Sequence, residues 1–191
     1  MGLDASPMET STMNIPNLLS ISRILSVPIY VMLMLDPTPM RALCAGIVFA
    51  TASVTDWLDG YLARKWEQVT KIGKLLDPIA DKLLITSALI VLVEVDASRV
   101  PAWMVIVIVG REFAVTGLRA MAASDGIVIP AETSGKYKVG AQITAILSFV
   151  LHHAFTSSWM ITLGVSALWL ALLLAIWSGT QYFIRYWKNL G

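Results

Sequence analysis

Long uncharged segments alternate with short polar ones along the whole chain. The longest, residues 139–184, contains no Asp, Glu, Lys or Arg and is broken by a polar patch around residues 152–158. About 20 mostly apolar residues suffice for one helical membrane crossing, so this segment predicts two helices joined by a tight turn. Four apolar segments precede it, and they predict helices over residues 17–35, 40–64, 78–95 and 101–123.

The pattern as a whole predicts an all-α, polytopic membrane protein with six transmembrane helices. Residues 1–14 are polar and are expected to form a flexible tail in front of a transmembrane domain over residues 15–191. The composition agrees, because 57% of the residues are hydrophobic and 14% are charged, against roughly 25% charged in soluble domains. A net charge of +1 gives no basic field that would favour nucleic acid as a partner.

Charged residues are concentrated at one end of the predicted bundle. Residues 42–55, 83–93 and 100–110 are uncharged, and charges follow the first and third of these segments but precede the second. Because successive helices run in opposite directions, the charged halves of predicted helices 2, 3 and 4 share one side of the membrane. The sequence therefore predicts a polar cavity that opens on that side.

The basic residues indicate which side this is. Of the 14 Lys and Arg residues, Arg41 and Arg99 lie on the apolar side, which leaves 12 on the side of the cavity. The positive-inside rule then places the cavity and both termini in the cytoplasm. His152 and His153 fall on the opposite side, where we expect them to be ordinary loop residues.

Four acidic residues lie within the polar halves of predicted helices 2 and 3: Asp56, Asp59, Asp77 and Asp81. The first two are three residues apart and the last two are four apart, so each pair shares one helical face. One carboxylate at membrane depth costs about 2.5–3.5 kcal/mol, and four also repel one another. Lys82 and Arg64 neutralise at most two of them, whereas two divalent cations balance all four. Carboxylate oxygens favour Mg²⁺, Mn²⁺ or Ca²⁺.

Three small residues accompany these acids: Gly60, Ala63 and Gly73. Two interpretations stay open at this point. Small residues allow membrane helices to approach closely, and beside a carboxylate site their missing side chains also leave room for a bulky ligand.

The combined pattern resembles a known family. The order Asp56, Asp59, Gly60, Ala63, Arg64, Gly73, Asp77, Asp81 is similar to the complete signature of the CDP-alcohol phosphatidyltransferases, D-x2-D-G-x2-A-R-x8-G-x3-D-x3-D. Every fixed residue and every gap agrees. Residues 14–19, 110–112 and 135–136, together with Arg23, Arg119 and Lys138, resemble the bacterial phosphatidylglycerophosphate synthases, a branch of the same family.

The resemblance implies a reaction and a location. The phosphatidyl group of CDP-diacylglycerol would pass to sn-glycerol-3-phosphate with release of CMP, at the bacterial cytoplasmic membrane. Asp56, Asp59 and Asp77 would bind two Mg²⁺ or Mn²⁺ ions. Asp81 would complete this site and act as general base, and whether it is base, ligand or both stays open.

The resemblance also implies how the substrates and partners are held. Four residues would border CDP-diacylglycerol: Gly60, Ala63, Arg64 and Gly73. Three cations on the cavity side would bind the phosphate of glycerol-3-phosphate: Arg111, Arg119 and Lys136. Glu112 is expected to pair with a neighbouring cation, and Lys138 to be an interfacial charge. A homodimer surrounded by membrane lipids is also implied.

Two other functions stay open. A sibling enzyme would use serine, inositol or inositol phosphate as acceptor, since the shared aspartates do not encode that choice. A divalent-cation transporter would use the same four acids but needs access from both faces of the membrane. The uncharged outer halves of predicted helices 2, 3 and 4 favour a closed pocket instead.

Overall fold

Six α-helices make up the fold in this computed structural model, which describes residues 15–66, 71–124 and 134–190. They are α1 (Ile15–Met34), α2 (Pro39–Trp66), α3 (Lys71–Val95), α4 (Ala102–Ser124), α5 (Ser134–Phe155) and α6 (Ser158–Leu190). No strand occurs within these ranges. The prediction of an all-α chain with six helices is confirmed for the part of the chain described.

Three helices extend further than the apolar pattern predicts. α3 begins at Lys71 instead of 78, α5 begins at Ser134 instead of 139, and α6 ends at Leu190 instead of 184. All three extensions are at the end of the bundle that carries the aspartate signature, called the signature end below. The predicted boundaries are wrong there because apolar composition indicates only the part of a helix at membrane depth. The helices themselves continue into polar residues beyond the apolar segments.

The tight turn predicted between the last two helices is present and consists of Thr156 and Ser157. Thr156 has a φ of 50°, in the left-handed region that ends many helices. Its N–H donates to the carbonyl of His152 at 2.7 Å. His152 and His153 therefore lie in the last turn of α5, and the prediction that they are loop residues is wrong.

Buried stripes with heptad spacing hold the first two helices together. On α1 the stripe is Ser20, Arg23, Val27, Tyr30 and Met34, and on α2 it is Ala42, Ala45, Phe49 and Ala52. The rings of Tyr30 and Phe49 meet with their centroids 5.7 Å apart. Spacings of three and four residues keep each stripe on one helical face.

The remaining contacts arrange the helices around α1 and α5. α1 packs extensively against both α2 and α3, which touch each other at few points. α5 packs against α2 and α6, and α6 packs against α4. A core of apolar side chains fills the interior from Val27 on α1 to Ala175 on α6.

Among the described residues, one helical segment is long and apolar enough to cross a membrane. This is Ser158–Trp187 on α6, with a mean hydropathy of 2.2, and Leu18–Met34 and Pro39–Thr55 are shorter apolar helices. Large apolar side chains on α6 point outward, including Leu173 and Trp177, which are 60% and 64% exposed. Six membrane crossings stay a prediction.

Candidate active site

The signature residues lie on the adjoining ends of α2 and α3. Positions 56–66 belong to α2 and positions 71–81 to α3. Eight predicted site residues have side chains outside the described residues: Asp56, Asp59, Gly60, Ala63, Arg64, Gly73, Asp77 and Asp81. Their roles stay predictions, but the helices fix the faces and levels that these positions occupy.

Both aspartate pairs continue a buried stripe. The α2 stripe ends at Phe49 and Ala52, and the same spacing of four and three residues leads on to positions 56 and 59. On α3, Leu84, Ala88 and Val91 are buried, and the spacing leads back to positions 81 and 77. The four acidic positions therefore lie on the faces that α2 and α3 turn toward the core.

Two contacts of α5 show that these positions also share one level. His153 on α5 meets Asp96, which directly follows α3 and lies 57 residues earlier in the chain, so position 138 lies level with position 81. A Cβ on Gly46 of α2 would lie 3.3 Å from Leu151 Cδ2, so position 138 also lies level with positions 58 and 59. At 1.5 Å per residue, all four acidic positions fall within about 10 Å along the bundle axis.

A buried ion pair lies at that level. The Lys138 ammonium on α5 donates to Glu112 Oε1 on α4, and the Lys138 side chain is 4% exposed. The expected pairing of Glu112 with a cation is confirmed. The expectation that Lys138 is an interfacial charge is wrong, because Glu112 neutralises it inside the bundle.

Arg111 lies in the interface between α4 and α6. Its Nη2 donates to Ser178 Oγ at 2.7 Å and its Nε donates to the carbonyl of Ala175 at 3.1 Å. A third donor, Nη1, reaches Glu112 Oε1 at 3.3 Å. Gly179 provides the space, since a Cβ there would lie 3.0 Å from Arg111 Cγ. These contacts use three of the five guanidinium N–H groups, and the role of Arg111 in phosphate binding stays a prediction.

The other two predicted phosphate ligands are open to solvent at the signature end. Arg119 on α4 and Lys136 on α5 are both exposed. Lys82 on α3 donates to Thr116 Oγ1 on α4, so position 119 lies level with position 79, between two of the signature aspartates. This placement agrees with a phosphate site, and both assignments stay predictions.

A second polar cluster, which the sequence did not indicate, lies at the opposite end of the bundle. The Asp96 carboxylate is 1% exposed and is held by Arg99 Nη1 and by His153 Nε2, each at 2.8 Å. The Asp96 carbonyl also accepts the backbone N–H groups of Arg99 and Val100. Arg99 follows Asp96 by three residues, so this ion pair could have been predicted from the sequence. His153 is 57 residues from Asp96, and no local pattern indicates that contact. The cluster joins α3 to α5.

We expect His153→Phe to lower the unfolding midpoint in detergent by about 5 °C. A hydrogen bond to a charged group contributes roughly 1.5–3 kcal/mol, and each kcal/mol moves the midpoint by about 2–4 °C in a chain of this size. The control is Arg41→Gln, which removes an exposed ion pair with Asp36 near the same end. Equal midpoints for the two variants would contradict the assigned role.

Most of the chain, and not only the signature, is similar to a known protein family. The model of the CDP-alcohol phosphatidyltransferase family matches residues 13–177, and the chain belongs to this family. It is 44% identical over 189 residues to the CDP-diacylglycerol--glycerol-3-phosphate 3-phosphatidyltransferase of Bacillus subtilis (strain 168), covering 93% of the chain and 97% of that protein. The protein of the same name from Pseudomonas fluorescens is 39% identical over 181 residues, covering 93% of the chain and 92% of that protein.

A relative with a different name also matches. The cardiolipin synthase (CMP-forming) of Oryza sativa subsp. japonica is 31% identical over 199 residues, covering 96% of the chain and 60% of that protein. The names of the two bacterial relatives contain the acceptor, glycerol-3-phosphate, whereas the name of the Oryza protein contains a different product, cardiolipin.

Proposed function

We propose that this chain transfers the phosphatidyl group of CDP-diacylglycerol to sn-glycerol-3-phosphate, giving phosphatidylglycerophosphate and CMP. One observation carries the proposal: the four acidic positions of the signature fall on core-facing stripes of α2 and α3, within about 10 Å of one another along the bundle axis. The bacterial relatives that are 39–44% identical bear the name of this activity. They support glycerol-3-phosphate as the acceptor.

Two divalent cations, Mg²⁺ or Mn²⁺, fit the signature positions. Four carboxylates on the core-facing stripes of α2 and α3 would supply hard oxygen ligands, and the nearby Lys138 ammonium is already paired with Glu112. The side chains described within residues 18–55, 79–80, 82–124 and 135–187 contain no other group of three or more metal-binding residues. Bound at the signature, the ions would stabilise negative charge on the departing CMP.

Residues of the chain itself position the reactants. Gly60, Ala63 and Gly73 leave space for the cytidine nucleotide beside the aspartates, and Arg64 contacts its phosphates. The primary hydroxyl oxygen of the acceptor bonds to the phosphatidyl phosphorus as the bond from phosphorus to the CMP oxygen breaks. The hydroxyl proton passes to Asp81, and CMP leaves with the electron pair of the broken bond.

Arg111, Arg119 and Lys136 bind the phosphate of the acceptor in this proposal. Arg119 and Lys136 are exposed and meet a phosphate that arrives from water. Arg111 is fixed by Ser178, and a guanidinium held in place loses little freedom when it binds phosphate. A dianionic acceptor matches three cations better than serine or inositol does.

We place the protein in the bacterial cytoplasmic membrane with six crossings, both termini in the cytoplasm, and as a homodimer. The basic residues at the signature end support this orientation by the positive-inside rule. The acyl chains of the donor then stay in lipid while its nucleotide enters the polar end of the bundle.

An acceptor panel tests the proposal. Purified protein is incubated with CDP-diacylglycerol, Mg²⁺ and one acceptor at a time: glycerol-3-phosphate, serine, inositol, inositol phosphate or phosphatidylglycerol. We expect CMP release and a new lipid with glycerol-3-phosphate alone. Transfer to another acceptor in its place would identify a sibling activity. Metal flux across sealed vesicles without lipid substrate would indicate transport.

A further inference from the structure

Arg23 on α1 is among the most deeply buried side chains of the described part of the chain, with 1% of its surface exposed. It belongs to the α1 stripe that also contains Tyr30. A guanidinium stays charged in proteins, and a buried charge is tolerated when an opposite charge pairs with it. Burial of Arg23 therefore requires an acidic group nearby.

The sequence of the neighbouring helices limits which acid this is. α1 itself contains no Asp or Glu, and its principal neighbours are α2 and α3. Glu94 lies at the opposite end of α3 and is exposed. The other acids of these two helices are the signature aspartates: Asp56, Asp59, Asp77 and Asp81.

The packing of α1 on α2 shows which of the two α2 acids lies opposite Arg23. Tyr30 and Phe49 face each other across these antiparallel helices. Arg23 precedes Tyr30 by seven residues, and Asp56 follows Phe49 by seven. Seven residues are about two helical turns, a shift of about 10 Å that returns to nearly the same face. Position 56 therefore lies opposite Arg23, and position 59 lies opposite Ser20.

We propose that Arg23 is a positioning residue that neutralises the carboxylate at position 56 and fixes it for metal binding. Without a counter-charge, four acids at one level repel one another in the absence of metal ions. The Arg23 guanidinium lowers this repulsion by neutralising one of the four negative charges. The consequence for turnover depends on the proposed transferase function, whereas the ion pair itself does not.

Unfolding midpoints in detergent with EDTA test the ion pair. The effect of Arg23→Gln on the midpoint is measured in three backgrounds: the wild type, Asp56→Asn and Asp59→Asn. The last is the matched control, because position 59 is one helical turn away from position 56. We expect a loss of about 10 °C in the wild type, as for one partner removed from a buried pair. The loss should fall below half of that in Asp56→Asn and stay largely intact in Asp59→Asn. Equal losses in all three backgrounds would overturn the proposal.

Two further results complete the test. Should Arg23→Gln alone yield no folded protein, the double variant Arg23→Gln/Asp56→Asn is expected to fold, since the pair is then removed together.

Turnover tests the positioning role. Arg23→Met is expected to lower turnover about 10-fold or more, as for other residues that orient metal ligands, and Arg23→Lys is expected to recover most of it. Equal turnover in the methionine and lysine variants would contradict a charge-dependent role. Failure of the transferase proposal has a separate signature, because wild-type protein would then make no lipid from glycerol-3-phosphate while the stability coupling persists.

Discussion

Replacing Asp77 by Asn is expected to abolish phosphatidyl transfer while the protein stays folded. Asn keeps the shape of the side chain but loses the charge that a divalent cation requires of its ligand. A loss of about 100-fold or more in turnover is expected, since residues that merely orient metal ligands already contribute 10–100-fold. Folding is expected to survive, because removing one of four clustered negative charges lowers their repulsion.

Turnover and the unfolding midpoint are both measured for this variant. The control is Asp36→Asn, which changes an acid that is 85% exposed at the opposite end of the bundle and should leave turnover unchanged. Near-normal turnover of Asp77→Asn at saturating Mg²⁺ would show that this aspartate is not a metal ligand. Loss of folding would show a structural role instead.

Changing Glu112 to Gln is expected to lower the stability of the protein strongly. The Lys138 ammonium is 4% exposed, so it loses a charged partner inside the bundle, and Arg111 loses the same partner. Breaking a buried ion pair from one side costs about 3–5 kcal/mol, which corresponds to a midpoint lower by about 10 °C.

Two variants make the Glu112 experiment specific. Glu94→Gln removes an exposed acid on α3 and should leave the midpoint unchanged. Glu112→Gln combined with Lys138→Met removes both charges and is expected to recover part of the loss, because a buried pair replaced by apolar groups is often tolerated. An unchanged midpoint in Glu112→Gln would rule out the pair as a major contribution.

The apolar pattern was sufficient to predict six helices and the turn at Thr156. It was not sufficient to predict the helix ends at Lys71, Ser134 and Leu190. Apolar residues mark the part of a helix that contacts lipid or the core, and these helices continue past that part. The spacing of the aspartates predicted a shared face within each pair. Their common level depends on contacts of α5 that no local pattern shows.

The environment of Arg111 illustrates the same limit. We predicted the correct end of α4 for this residue from the sequence, but we did not predict which face of the helix it occupies. Met104, Ile108, Val115 and Leu118 are buried, and with Arg111 they form one stripe spaced by three and four residues. The apolar periodicity of α4 could therefore have indicated the face of Arg111. Its partner Ser178 is 67 residues away, and no local pattern identifies such a pair.

The central claim is that the acceptor hydroxyl attacks the phosphatidyl phosphorus of CDP-diacylglycerol. The most direct measurement identifies both products by mass spectrometry after purified protein has been incubated with CDP-diacylglycerol, glycerol-3-phosphate and Mg²⁺. We predict phosphatidylglycerophosphate and CMP in equal amounts, with neither formed in EDTA. Phosphatidic acid together with the CMP diester of glycerol-3-phosphate would place the attack of the hydroxyl on the other phosphorus and contradict the account.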